Sequence, residues 1–118
     1  SIKKTFDLSI ELCTAGWNTY AAMALPGSQL YKNAKSKNYK LPETYEGYSF
    51  HSFETLPLPT DTLKAAEVLA YRDEAFKNYH TSRPFLNKIK EKFGKKASDN
   101  IIEMTKINLK RKILGHKI

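Results

Sequence analysis

Apolar residues recur at helical spacing through the second half of the chain. Three segments have an apolar face of this kind: residues 61–81, 84–93 and 98–114. Thr60 is the predicted N-cap of the first segment, and Ser98 is that of the last. Pro84 suits the first turn of the middle segment. Because an apolar face must be buried, we expect these helices to share a core. Its predicted members are Leu69, Phe76, Ile89, Phe93 and Ile102.

The pattern is mixed in the first 38 residues. Apolar side chains in residues 2–13 combine helical and strand spacing, and we expect a helix because Gly16 follows as a stop. Residues 17–23 are short and rich in aromatic and small side chains, which predicts a strand that ends at a Pro-Gly turn. Ser28 then has the position of an N-cap for a second helix.

Residues 39–60 predict irregular structure. Three prolines and a glycine interrupt a run of aromatic residues: Tyr39, Tyr45, Tyr48, Phe50 and Phe53. So many aromatic side chains in an irregular segment must lie against something. Two interpretations fit equally: the segment covers the helical core, or it walls a pocket for an apolar or ring-bearing substrate. In the second case the candidate substrate-binding residues are Tyr45, Tyr48 and His51.

Length and composition indicate a globular chain that forms one compact unit. It has 118 residues, of which 41% are hydrophobic and 27% charged, with a mean hydropathy of -0.55. No apolar run approaches the ~18 residues of a membrane span. The N-terminal residues lack the apolar stretch of a signal peptide, so we expect a cytoplasmic protein without a membrane span.

The cysteine and histidine content argues against a metal centre. Cys13 is the single cysteine, which excludes an internal disulfide and a Cys₄ site. Its position at a predicted helix end, among apolar neighbours, favours a buried small hydrophobe. His51, His80 and His116 have no ligand spacing, and His80 is predicted to cap its helix. The sequence therefore predicts no metal ligand and no catalytic residue.

Positive charge is concentrated near the C-terminus. The net charge is +8, and residues 84–118 contain ten basic residues against three acidic ones. Such a distribution attracts nucleic acid, other phosphates, anionic lipid or an acidic protein surface. It is equally typical of a solvated, lysine-rich helical face.

Several motifs carry a resemblance to a known family. Residues 20–31 read Tyr-Ala-Ala-Met-Ala-Leu-Pro-Gly-Ser-Gln-Leu-Tyr, which resembles the strand, turn and helix that close the barrel of radical S-adenosylmethionine (radical SAM) proteins. The likeness continues, in order, through residues 41–49, 56–60, 66–69, 72–76 and 92–94. Together these segments resemble the C-terminal region of cobalamin-binding radical SAM proteins, the Fe-S oxidoreductases.

The resemblance implies a fold and a division of the chain. The expected fold class is α+β and mostly helical, with the final helix-strand-helix unit of the barrel in residues 1–38. An aromatic-rich connector over residues 39–60 and a helical extension over residues 61–118 would follow. Ligands of a barrel lie at the carboxyl ends of its strands. The resemblance therefore places Met23, Ala24 and Leu25 beside S-adenosylmethionine, although core and turn positions explain these residues as well.

The resemblance also implies a function that this chain does not perform alone. Such enzymes hold a [4Fe-4S] cluster through a Cys-x₃-Cys-x₂-Cys motif, which is missing here. The chain is then a non-catalytic fragment that closes the barrel and shapes its substrate side. The cluster, S-adenosylmethionine and any cobalamin belong to the parent protein, and the substrate and reaction type stay open. Its expected partners are the remainder of the parent and a second copy, through residues 1–37. The alternative is a basic helical module that binds a protein or, less expectedly, nucleic acid.

Overall fold

The structure, a computed structural model, describes residues 2–117. These residues form five α-helices: α1 (Ile2–Leu12), α2 (Gln29–Ser36), α3 (Ala65–His80), α4 (Arg83–Phe93) and α5 (Lys95–Thr105). Short 3-10 helices lie at Tyr45–Tyr48 and Lys112–Leu114. No strand occurs in residues 2–117. The predicted α+β class, with its helix-strand-helix unit, is therefore wrong, and the described chain is all-helical.

The segment predicted as a strand fails because no ladder forms beside it. Burial does alternate at residues 20–23, where Ala21 and Met23 are buried and Tyr20 and Ala22 exposed, as on a half-buried strand. One backbone hydrogen bond reaches this segment from the following loop, from Leu58 N to Ala22 O at 2.8 Å. In the aromatic-rich loop, Tyr45–Tyr48 forms a 3-10 helix, and residues 49–54 form turns and bends and no strand. Hydrophobic alternation without a second strand gives no sheet.

The described residues group into two compact units. Unit 1 contains the chain up to Thr19 together with Asp73–Asn108, and unit 2 contains Tyr20–Arg72 together with the chain from Leu109. Helix α3 therefore contributes its first half to unit 2 and its second half to unit 1.

Unit 1 has an aromatic core. Buried Cys13, Tyr79 and Phe85 form its centre. Partly buried side chains pack around them: Phe6, Ile10, Trp17, Leu86, Ile89 and Ile101. Helices α4 and α5 pack against each other in this unit. The burial predicted for Cys13 is confirmed, since its exposed fraction is 5%.

Unit 2 is organised around a buried guanidinium. Arg111 has an exposed fraction of 0% and donates hydrogen bonds to Phe50 O at 2.8 Å, Ser52 O at 3.1 Å and Thr55 Oγ1 at 3.1 Å. Thr55 is itself fully buried, with an exposed fraction of 0%. The neighbouring backbone adds a hydrogen bond from Lys112 N to Phe53 O at 2.9 Å. The C-terminal residues therefore hold the aromatic-rich loop in place.

Helix ends follow the sequence signals in three places. Ser28 caps α2 by accepting a hydrogen bond from Tyr31 N at 3.1 Å, as predicted. Pro84 lies in the first turn of α4. Gly94 ends that helix with a φ of 92°, a conformation that favours glycine.

Two predicted caps and one helix end are wrong. Thr60 accepts hydrogen bonds from Thr62 N and Leu63 N, so it closes a local turn, and α3 starts only at Ala65. Ser98 lies inside α5 and donates to Lys95 O. Threonine and serine side chains also bond to nearby backbone groups in turns and inside helices, so their presence does not locate a helix start. Helix α5 also ends at Thr105, well before residue 114.

The predicted common core is wrong in its membership. Phe93, the last residue of α4, is 70% exposed. Leu69 is buried in unit 2, whereas Phe76, Ile89 and Ile102 belong to unit 1. The side chains that fill the centre of unit 1 come instead from Tyr79, Phe85 and the turn after α1.

Candidate functional site

The residues predicted to border a cofactor lie in unit 2, just before the Pro-Gly turn. Met23 and Ala24 are 7% and 3% exposed, whereas Leu25 is 52% exposed. Leu25 O accepts the hydrogen bond from Ser28 N that closes the turn, and Gly27 in the turn has a φ of 88°. Two of these three side chains therefore fill the core, and only Leu25 is open to a ligand or partner.

The backbone of residues 21–25 makes few hydrogen bonds. Across residues 2–117, the amides of residues 21–25 find no hydrogen-bond acceptor, and Ala22 O is bonded only to Leu58 N. Backbone polar groups near a buried surface are nearly always paired. Tyr20, at 55%, and Leu30, at 49%, expose large apolar side chains nearby in the sequence. The segment thus combines available backbone donors with apolar side chains, which is typical of a surface that another polypeptide covers.

The predicted substrate residues differ in their surroundings. Tyr45 is 89% exposed, and His51 is exposed as well. Tyr48 is half-buried, and burial, with a smaller effect of Tyr31, raises the pKa of its phenol. None of the three lines the cleft that is described below for unit 1.

Contacts in unit 2 bring the separate motifs together. The ring centroids of Tyr20 and Phe50 are 4.3 Å apart, so the aromatic loop packs on the start of the 20–31 segment. Gly47 is buried against Pro42, and its carbonyl accepts a hydrogen bond from Leu56 N at 3.0 Å. Phe50 therefore packs on Tyr20, and the loop closes on itself where Gly47 meets Pro42.

Unit 1 contains a cleft that the sequence did not reveal. Its volume is about 270 Å³. Helix α1 provides one wall with Leu8 and Leu12, and Trp17 and Tyr79 provide aromatic side chains. Cys13 and the backbone around Gly16 complete the lining. Only the presence of Gly16 and Trp17 beside a predicted helix end hinted at a turn here, and nothing in the sequence linked that turn to Tyr79.

A buried phenol and thiol lie side by side in this cleft. The Tyr79 hydroxyl donates to Ala15 O and lies 3.8 Å from Cys13 Sγ. Burial raises the pKa of Tyr79 to about 12, and the hydrogen bond to Cys13 adds to the rise. The Lys88 ammonium donates to Cys13 O, and Cys13 has a φ of 33°, which ends α1. The phenol therefore stays protonated and serves as a hydrogen-bond donor.

His80 has the structural role predicted for it. It is the last residue of α3 and its Nδ1 lies 2.8 Å from Phe76 O. Its ring also packs on Phe85, with centroids 5.0 Å apart. The imidazole thus donates to a carbonyl of the last helical turn.

Part of the C-terminal positive charge is already engaged. Arg111 is buried, and three lysines form ion pairs: Lys95 with Asp99, Lys106 with Glu103 and Lys112 with Glu54. The hydrogen bond to Asp99 raises the pKa of Lys95. These contacts leave a weaker positive surface than the charge count alone predicts.

Related proteins do not help to assign these residues. No family model, curated protein or solved structure matches this chain. Within residues 2–117, no three histidine, cysteine, aspartate or glutamate side chains are grouped to hold a metal ion. None of the helices described is long and apolar enough to cross a membrane.

Proposed function

We propose that this chain is the C-terminal part of a radical SAM protein of the Fe-S oxidoreductase type, where it shapes the substrate side and is not catalytic alone. The observation that carries the proposal is the meeting of three motif segments in unit 2. Leu58 N bonds to Ala22 O, and Leu56 N bonds to Gly47 O. These bonds join residues 20–31, 41–49 and 56–60, all of which carry the family resemblance. Motifs that share contacts act as one structural element.

The catalytic group belongs to another part of the proposed parent. A [4Fe-4S] cluster of this type needs three thiolates, and the chain has one cysteine. Cys13 also lies beside Tyr79 in the core of unit 1. The residues present therefore do not fit the cluster. Met23 and Ala24 are core residues here, so Leu25 is the remaining candidate to face S-adenosylmethionine, and no residue is assigned to cobalamin.

The proposed partner is the remainder of the parent polypeptide. The unbonded amides of residues 21–25 and the exposed Tyr20, Leu25 and Leu30 support a contact there. In the isolated chain the same surface favours a second copy, within residues 1–37. A cytoplasmic location follows from the proposed chemistry, because reduced iron-sulfur clusters and free thiols are typical of reducing compartments.

Reading the coding sequence upstream tests the proposal directly. We expect an open reading frame that continues this chain at its N-terminal side and encodes a Cys-x₃-Cys-x₂-Cys motif. A frame without three such cysteines would overturn the assignment. As a second arm, the isolated chain is reconstituted anaerobically with iron and sulfide and given S-adenosylmethionine. We expect no stable cluster absorbance and no 5′-deoxyadenosine, so turnover by this chain alone would contradict a non-catalytic role.

The alternative function is a basic helical module that binds a partner through its charge. The ten basic residues in residues 84–118 favour it, whereas the burial of Arg111 weakens it. Binding to random duplex DNA that falls steeply with salt would support nucleic-acid recognition. A stoichiometric complex with an acidic protein would support a scaffold role.

A further inference from the structure

The cleft of unit 1 is open to solvent and is lined by uncharged side chains. Its volume of about 270 Å³ lies just below the ~300 Å³ at which typical small-molecule sites begin, so it suits a small ligand. Among the described residues that line it, none is charged. We propose that this cleft binds a neutral, planar molecule of one or two rings.

The aromatic wall accounts for the preference for a planar ring. Trp17 and Tyr79 are stacked, with centroids 5.6 Å apart and planes 23° apart. Phe6 meets the indole edge-on, at 5.7 Å and 71°. The indole orientation is therefore fixed before any ligand arrives, so binding of a ring beside it costs little side-chain entropy of the protein.

The side chains at the rim and floor of the cleft account for the proposed neutrality and size of the ligand. Leu8 and Leu12 are 52% and 62% exposed although both line the cleft, so a bound ring would cover apolar surface that water now contacts. The floor contains the Cys13 thiol, which is 5% exposed. The hydroxyls of Ser9 and Tyr79 already donate to Phe6 O and Ala15 O. A charged ligand would lose its hydration here, and the Lys88 ammonium does not line the cleft and already donates to Cys13 O.

Indole is a suitable probe, because the chain contains a single tryptophan and a single cysteine. The indole N–H proton of Trp17 gives one resonance, which is followed while unlabelled indole is added to the full-length chain. We expect a saturable shift with half-saturation on the order of 1 mM, as is typical for a ligand of this size. Indole should also slow the reaction of the Cys13 thiol with 4,4′-dithiodipyridine several-fold.

Rim variants separate binding in the cleft from loose adsorption. Leu8→Ser removes an apolar side chain that lines the cleft. The control, Ile107→Ser, removes an apolar side chain of unit 1 that is 74% exposed and is not among the residues that line the cleft. We expect Leu8→Ser to weaken indole binding by at least threefold and Ile107→Ser to leave it unchanged. Indole-3-acetate should bind at least tenfold more weakly than indole, since its carboxylate stays hydrated.

Three results would overturn the proposal. The first is a Trp17 resonance that does not shift, or shifts linearly, over the soluble range of indole. The second is equal binding by the two variants, which would place the ligand elsewhere. The third is equal affinity for indole and indole-3-acetate, which would contradict a neutral site. Because the cleft uses none of the motifs that resemble the radical SAM family, failure here leaves the proposed function unaffected.

Discussion

Arg111 fixes the loop of unit 2 through hydrogen bonds from a fully buried guanidinium. Arg111→Met replaces the apolar stem of arginine with one of similar length, but it removes the hydrogen bonds to Phe50 O, Ser52 O and Thr55 Oγ1. Each acceptor would lose a hydrogen bond from a buried guanidinium, so we expect a loss of about 2–4 kcal/mol in the free energy of unfolding. Urea denaturation measures the loss. The neighbouring exposed Lys110 gives the control Lys110→Met, expected within about 0.5 kcal/mol of wild type. Equal stability of the two variants would contradict the structural role of Arg111.

Gly47 tests how closely the loop packs on itself. A Cβ at this position would overlap the Pro42 ring, and Gly47 is buried. We therefore expect Gly47→Ala to destabilise the protein by about 1–3 kcal/mol. At Gly16 a Cβ meets no atom within 4 Å, so Gly16→Ala should be neutral or stabilise the protein by up to about 1 kcal/mol. Thermal unfolding of both variants distinguishes crowding from a general intolerance of Gly→Ala.

Tyr79 makes stability depend on alkaline pH. Its folded-state pKa of about 12 lies above the value of 10.0 expected for an unfolded chain. Between these values the unfolded state loses the phenolic proton and the folded state keeps it. The stabilisation that comes from burying the neutral phenol is therefore fully present below pH 10 and is lost as pH rises toward 12.

Tyr79→Phe checks this pH dependence. At neutral pH the variant should be less stable by about 1 kcal/mol, because the hydrogen bond to Ala15 O is lost. Above pH 10 the difference from wild type should shrink, since the variant has no phenol to ionise. A difference that stays constant from neutral to alkaline pH would show that the phenol ionises alike in both states.

Helix α2 depends on a single serine cap. Ser28→Ala removes the acceptor for Tyr31 N, and we expect a cost of about 1 kcal/mol. Ser36 is exposed at the other end of the helix and donates to Asn33 O, so Ser36→Ala should cost less than about 0.5 kcal/mol. Chemical denaturation of the two variants gives the comparison. If Ser36→Ala lowers the free energy of unfolding more than Ser28→Ala does, the assignment of Ser28 as the cap is wrong.

Helix boundaries show what local chemistry alone decides. Ser28, Pro84 and Gly94 act at the positions that their side chains or backbone freedom predict, because each effect is complete within one turn. The start of α3 was misplaced because Thr60 closes a turn of its own. Helix α1 ends at Leu12, and the left-handed residue that follows it is Cys13. The expected stop, Gly16, lies three residues further along the chain. A contact elsewhere in the fold, from Lys88 to Cys13 O, supports that conformation.

For the whole molecule, the surface around residues 20–30 predicts self-association. It combines unbonded amides in residues 21–25 with exposed Tyr20, Leu25 and Leu30. We expect the weight-average mass of the isolated chain, measured by sedimentation equilibrium, to rise with protein concentration. Leu30→Glu should reduce this rise, because a charge at the contact disfavours pairing. Ile107→Glu, a control at an exposed position of unit 1, should not. Monomers at every concentration would contradict the prediction.

Residue types and short spacings were enough to predict the mostly helical content, the cap at Ser28 and the burial of Cys13, and the sequence shows directly that a three-cysteine motif is missing. The predicted features depend on interactions within a few residues of the chain. Contacts between distant segments determine instead that residues 17–23 form no strand, that Phe93 is exposed and that Arg111 is buried. Such contacts also bring Tyr79 to the cleft beside Cys13 and Trp17. Each of these outcomes depends on which distant segment supplies a partner: a strand needs a second strand, and a buried guanidinium needs carbonyls from another loop. Periodicity along the chain contains no information about such partners, because hydrogen bonds and packing between remote residues form only when the chain folds.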